Sequence, residues 1–246
     1  MPLVTLTTDF GTRDGYVGAM KGVLASLAPE AIAVDIAHDV PRHDIAHGAW
    51  VLANAAFRFP GGTIHLAVVD PGVGGARAEV IVQARGHLFV GPDNGLFAHV
   101  GRDCDGTWAI TSPAFRESNA SATFHGRDVF APAAAALARG LPPHLAGPAT
   151  CLAGQLPWPA PEPGAGAVVH IDVYGNLITD LPAATGDGAR VEVLGHALPM
   201  VRTYADVDVG ALCAYVGSMG TVEIAVRQGS AARILGAGRG TAVRLL

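Results

Sequence analysis

Two acids stand where apolar runs stop: Asp9 closes "LVTLTTDF" and Asp70 closes "TIHLAVVD". In an open parallel α/β sheet, ligands bind beyond the carboxyl ends of the strands, so carboxylates there can hold a substrate or move a proton. The same positions also suit helix caps and turns. Asp35 lies inside its run and reads as structural. Seven residues after Asp70, across the glycine-rich "PGVGGA", comes Arg77. A carboxylate and a guanidinium so spaced can fold back to face one pocket, or form an ion pair on a surface turn. The glycines lack G-x-G-x-x-G spacing and lead into another strand, which argues against a dinucleotide site. His125, in "TFHGRDVFAP", is placed either to accept a proton or merely to stand at a helix N-terminus, with Asp128 complementing the dipole and Arg127 unassigned. His43 and His47 in "HDIAH" fall at i and i+4 beside Asp44, a spacing that puts both on one helical face. No third ligand is indicated, so they read as solvated histidines and no metal is expected. "GPDNG", from Gly91 to Gly95, reads as a turn.

These side chains need elements to hold them. "LVTLTTDF" reads as a strand, "YVGAMKGVLASLA" as a helix stopped before Pro29, and the pair repeats in "AIAVDIA" and "DIAHGAWVLANAAFRF" before "TIHLAVVD". Alternation of this kind predicts a parallel sheet. "EVIVQAR", "HLFVGPDNG" and "TWAITS" follow as further strands, and "GRDVFAPAAAALARG" as a helix closed by Gly140. Residues 1–141 thus form an N-terminal α/β domain with a largely parallel sheet sandwiched by helices. The proline-dense stretch 142–166 reads as a linker. Residues 167–246 carry short strands with Gly, Asp and Asn turns, the pattern of a small all-β barrel or sandwich.

The chain has 246 residues, half of them hydrophobic, enough for two compact cores. A net charge of −5 with scattered arginines provides no cationic stripe, so nucleic acid is not an expected partner. No apolar run is long enough for a membrane helix, and the N-terminus lacks the basic start of a signal peptide, which predicts a cytoplasmic protein. The three cysteines, Cys104, Cys151 and Cys213, lack metal-ligand spacing and read as buried thiols.

Six blocks taken together, "TLTTDFGTRDGYVGAMKG", "VVDPGVGGAR", "GPDNG", "TFHGRDVFAP", "IDVYGNLITD" and "GSMGTVEIAVRQGSAARILG", resemble the S-adenosylmethionine hydroxide adenosyltransferases, relatives of the fluorinase and chlorinase enzymes. The resemblance runs over nearly the whole chain in order. It implies an α/β domain followed by a small β-barrel, and a homotrimer with active sites at subunit interfaces. It also implies attack of water or hydroxide on the ribose C5′ of S-adenosylmethionine, releasing adenosine and methionine without a cofactor. The family's Asp, Arg and His signature falls on Asp70, Arg77 and His125. By the same resemblance Asp9 binds the ribose hydroxyls, Asn176 reads adenine, Tyr204 stacks on it, and Asp172 and Ser218 hold the methionine ammonium and carboxylate. Two positions depart from the fluorinase pattern: Met219 stands where that enzyme has arginine, and His43 where it has tryptophan.

The chemistry suits these residue types. A sulfonium leaves as a neutral thioether and needs no proton, so the enzyme's task is to align and activate water. Asp70 or His125 can take the proton, and Arg77 can orient Asp70; the sequence leaves the choice of base open. A non-catalytic S-adenosylmethionine or adenosine sensor is the alternative, and a halogenase is disfavoured because the halogenating relatives lack the trio.

Overall fold

The structure, a computed structural model, describes residues 1–102, 104–158, 161–183 and 189–246. It divides into two compact units, Met1–Leu156 and Pro157–Leu246. The division falls inside the proline-dense stretch. Its first part lies along the first unit: Ala109 donates to the Pro148 carbonyl, and the Asp93 carboxylate accepts from the Ala153 and Gly154 amides at 2.9 and 2.8 Å.

The first unit is built on one six-stranded sheet. Its strands are β1 (Leu3–Thr8), β2 (Ile32–Ala37), β3 (Ile64–Val68), β4 (Glu79–Ala84), β5 (His87–Pro92) and β6 (Gly106–Ala109), in the order β2-β1-β3-β5-β4-β6. The sheet is mixed. The four strands β2, β1, β3 and β5 pair in parallel, as expected, but β4 pairs antiparallel with both β5 and β6. The cause is the connection: Arg85 and Gly86, both at positive φ, make a two-residue hairpin between β4 and β5, too short for a parallel crossover.

Side-chain alternation divides the sheet between two cores. Ile64, Leu66 and Val68 of β3 join a cluster with Val17, Met20 and Leu24 of helix α1 (Tyr16–Leu27) and the alanines of helix α3 (Ala131–Ala138). Ala67 and Val69 turn to the opposite core, formed with Leu52, Ala53 and Ala56 of helix α2 (Ile45–Ala56). Helices therefore cover both faces of the sheet, which requires apolar residues in both registers of its central strands.

The second unit is a seven-stranded antiparallel sheet. Strands β7 (Ala165–Ile171), β8 (Leu177–Pro182), β9 (Arg190–Val193), β10 (His196–Pro199), β11 (Leu212–Val216), β12 (Thr221–Val226) and β13 (Ala242–Leu245) run in the order β10-β9-β13-β7-β8-β12-β11. Its two edge strands approach each other through a bridge between Met200 and Ala214, so the sheet is nearly closed. Val168, Leu177, Val191, Val222 and Ile224 fill its interior. The strand pattern of the sequence missed β10 and a short helix, α4 (Ala231–Leu235), which Ser230 caps by accepting from the Arg233 amide.

The cysteine reading needs correction: Cys213 is buried, but Cys104 and Cys151 are exposed because they lie on loops outside both cores. Among the described residues, no helix is long and apolar enough to cross a membrane.

Candidate functional site

Asp70 lies two residues past β3, where the chain leaves the sheet and folds back through a tight turn to enter β4. The turn is held by the Val73 amide donating to the Asp70 carbonyl and the Gly75 amide to the Gly72 carbonyl. Gly74 has φ 75°, and a Cβ there would sit 2.3 Å from the Ala122 carbonyl oxygen, so the turn lies directly against the loop that leads to His125.

The return path brings Arg77 onto Asp70. Arg77 Nε donates to both Asp70 carboxylate oxygens at 3.1 Å, and Nη2 donates to Oδ2. The same Nη2 lies 2.9 Å from Nδ1 of His125. Asp70, Arg77 and His125 thus form one contiguous polar group, although 48 residues separate Arg77 from His125. Only 3% of the Asp70 side chain and 9% of that of Arg77 are exposed, so the pair is shielded from the solvent that weakens surface ion pairs. The ring of Phe130 lies under the guanidinium, 5.6 Å from its centre.

Sequence reasoning missed two members of this cluster. Glu79 opens β4, and its Oε1 lies 2.9 Å from His125 Nδ1 and 3.6 Å from Arg77 Nη1. Arg116 donates to the other Glu79 oxygen at 2.6 Å and to the Ile110 carbonyl at 3.2 Å. Glu79 was within reach of pattern reasoning, because positions 77 and 79 share one side of an extended segment. Nothing in the local sequence singles out Arg116. Burial lowers the pKa of His125 below the ordinary histidine value; Glu79 opposes that shift, Arg77 adds to it, and Asp70 and Arg116 act in the same opposed senses more weakly. The shift favours the neutral imidazole, the form able to accept a proton.

The backbone at His125 has an unusual cause. Gly126–Phe130 forms a π-helical turn that runs directly into α3. Pro132 has no N–H, and the Asp128 carbonyl accepts instead from the Glu117 amide at 2.8 Å. Asp128 does more than complement a helix dipole. Its carboxylate accepts from the Ser121 amide at 2.9 Å and from the guanidinium of Arg127, which fixes the loop entering His125 and gives Arg127 a role.

Asp9 directly follows β1, and its carboxylate accepts from the His43 amide at 2.8 Å. His43 and His47 do not share a helical face. His43 precedes α2 with φ 65°, Asp44 is the N-cap and accepts from the His47 amide, and only His47 lies in the first turn. Among the described residues, no group of three or more His, Cys, Asp or Glu side chains is arranged to hold a metal ion. In "GPDNG", Gly95 supplies the positive φ at 105°, whereas Gly91 belongs to β5; Asn94 bonds the Val69 carbonyl and the Leu96 amide.

Of the residues expected in the second unit, Asp172, Asn176 and Tyr204 line one cavity of about 720 Å³, and Ser218 is not among its lining residues. Asp172 organises the wall. Its Oδ1 accepts from the Tyr174 and Asn176 amides, and Oδ2 accepts from the Asn176 side-chain amide at 2.9 Å, which leaves the Asn176 side-chain oxygen free of that bond. Tyr215 and Glu223, directly paired across β11 and β12, also line it and were not anticipated. Burial raises the pKa of Glu223, with Tyr215 acting against the shift and Asp172 with it.

Fold and site together define a two-unit chain of the enzyme class: an α/β unit presenting a desolvated carboxylate–guanidinium–imidazole centre at its strand ends, and a β unit with a polar, tyrosine-lined cavity. The model of the SAM hydroxide adenosyltransferase N-terminal domain matches residues 4–147, and that of the C-terminal domain matches residues 166–244. The chain belongs to the S-adenosylmethionine hydroxide adenosyltransferase family. It is 44% identical to the (R)-S-adenosyl-L-methionine hydrolase of Thermus thermophilus over 99% of both chains. A fluorinase from Nocardia brasiliensis is more distant, at 25% identity over 91% of this chain and 90% of that one. Among solved structures, a conserved protein of Thermotoga maritima aligns with TM-score 0.86 at 32% identity, covering 98% of this chain and 99% of that one.

Proposed function

We propose that this chain hydrolyses S-adenosylmethionine to adenosine and methionine. The observation that carries the reading is the shielded Asp70–Arg77–His125 group, found in a chain 44% identical to an (R)-S-adenosyl-L-methionine hydrolase. Water attacks the ribose C5′, the C5′–S bond breaks with its electron pair passing to sulfur, and the water proton goes to His125. His125 is the better base because burial favours its neutral form, while both Asp70 oxygens are occupied by Arg77 donors. Asp70 then fixes Arg77, whose guanidinium lies against the imidazole. The departing thioether is neutral, so the step requires neither a general acid nor a Lewis acid at the leaving group.

In this reading Asp9 accepts the ribose hydroxyls and Asn176 bonds adenine. Tyr204, half exposed at the cavity, offers its ring for stacking, while Asp172 and Ser218 hold the amino-acid end. A homotrimer is part of the proposal, and sedimentation of the purified protein tests it. Incubation with S-adenosylmethionine in ¹⁸O-water should yield methionine together with adenosine labelled at the 5′ hydroxyl. Binding of adenosine without turnover would make the protein a sensor instead, and a 5′-halogenated product formed only with added halide would make it a halogenase.

A further inference from the structure

We infer that Glu79 is a positioning residue that fixes the protonated nitrogen of His125, placing hydrogen on Nδ1 so that Nε2 carries the lone pair used on water. The inference rests on the hydrolase reading and extends it to a fourth side chain. Its basis is a conflict at one atom. His125 Nδ1 lies 2.9 Å from Arg77 Nη2 and 2.9 Å from Glu79 Oε1. The first contact is a hydrogen bond only if Nδ1 is bare, and the second only if Nδ1 carries hydrogen. One nitrogen cannot satisfy both.

The surroundings decide between them. Arg77 Nη2 already donates to Asp70, and its Nε donates to both Asp70 oxygens, so the guanidinium keeps its charge-assisted bonds to Asp70 whichever tautomer the imidazole takes. Among the described residues, Glu79 Oε1 has only the Arg77 Nη1 contact at 3.6 Å besides His125, too long for a hydrogen bond, whereas Oε2 is taken by Arg116 at 2.6 Å. Glu79 is only 14% exposed, so an oxygen without a donor there would be costly. A proton on Nδ1 satisfies that oxygen. It also leaves Nε2 bare, and as Nε2 collects a proton from water the growing imidazolium faces a carboxylate fixed beside it. Arg116 has a supporting part, anchoring Glu79 from the loop after β6.

The charged groups facing His125 are Asp70 from the end of β3, Arg77 and Glu79 at the entry to β4, Arg116, and Asp128 on its own turn. Glu79→Gln keeps the shape and removes the charge. The expected result is a kcat lower by about 10- to 100-fold at the pH plateau with KM changed by less than about threefold, since acid–base assistance is lost while binding groups stay. The acid limb of the kcat profile should move to lower pH, because the carboxylate that favoured the imidazolium is gone. Glu79→Asp should recover part of the rate. In ¹⁵N-histidine spectra, with the His125 signal assigned by its loss in His125→Ala, the wild type should show hydrogen on Nδ1 and Glu79→Gln should shift it toward Nε2. An unchanged tautomer in Glu79→Gln, hydrogen on Nε2 in the wild type, or a kcat and pH profile equal to wild type would each overturn the inference. Absence of hydrolysis in the wild type would overturn the functional reading, and the tautomer spectra would still decide independently whether Glu79 sets the His125 proton.

Discussion

Arg77 is the residue on which the centre depends, because one planar guanidinium bonds Asp70 through two nitrogens and lies against His125 with one of them. A lysine ammonium carries the same charge but cannot span these positions with fixed geometry. Arg77→Lys should therefore lower kcat by about 10- to 100-fold while the folded spectrum is kept, a loss in the range of mispositioned acid–base groups. Steady-state kinetics beside circular dichroism checks this. His125→Ala removes the proposed base itself, so kcat should fall by roughly 10²- to 10⁴-fold with much less effect on KM. A KM effect larger than the kcat effect would instead make His125 a binding group.

At the scale of elements, two irregular connections bring the centre together. The turn between β3 and β4 and the loop before the π-helical turn touch at Gly74 and Ala122, and any side chain at position 74 must push them apart. Gly74→Ala adds a Cβ at φ 75° and 2.3 Å from a carbonyl oxygen, which should cost about 1–3 kcal/mol of stability. Because the strain falls between Arg77 and His125, activity should drop more than global stability implies. Urea unfolding and activity at a temperature well below the melting point separate the two effects.

The elements were legible wherever one periodicity dominated. "YVGAMKGVLASL" carries its buried Val17, Met20 and Leu24 on one stripe, and "IHLAV" is buried throughout because helices cover both faces of the sheet. The reversal of β4 and the strand β10 were not legible in the same way, since a four-residue edge strand and a two-residue turn carry little pattern. At the site, Asp70 and Arg77 could be paired from spacing, whereas the two-histidine face in "HDIAH" dissolved because Asp44 caps the helix and leaves His43 outside it.

At the scale of the whole molecule, several histidines are buried in neutral form. Burial pushes His65 down to about 3 and His99 down to about 4, with smaller downward shifts at His87 and His125. His65 is committed to Thr5 and His87, while His99 Nε2 is buried without a hydrogen-bond partner among the described residues. The sign follows from linkage. A histidine whose folded pKa is lowered takes up its proton more readily in the unfolded chain, so stability is full above about pH 6.5 and declines as pH falls toward the folded values. Thermal melts between pH 7.5 and 4 should show a falling midpoint below about 6.5. His99→Leu should flatten part of that slope, and an unchanged slope would mean that His99 does not contribute.

The sequence by itself determined the two-part organisation, the alternation of strands and helices, and the blocks that mark the family, because each of these is written in local periodicity or in ordered short motifs. Tertiary structure alone decided which nitrogen of His125 is contested and by whom. Glu79, Arg116 and His125 stand far apart along the chain, on β4, in a loop and just before a π-helical turn. Their meeting depends on the register of β4 and on a turn pressed against a carbonyl oxygen, and distances of a few ångströms between remote segments leave no local pattern to read.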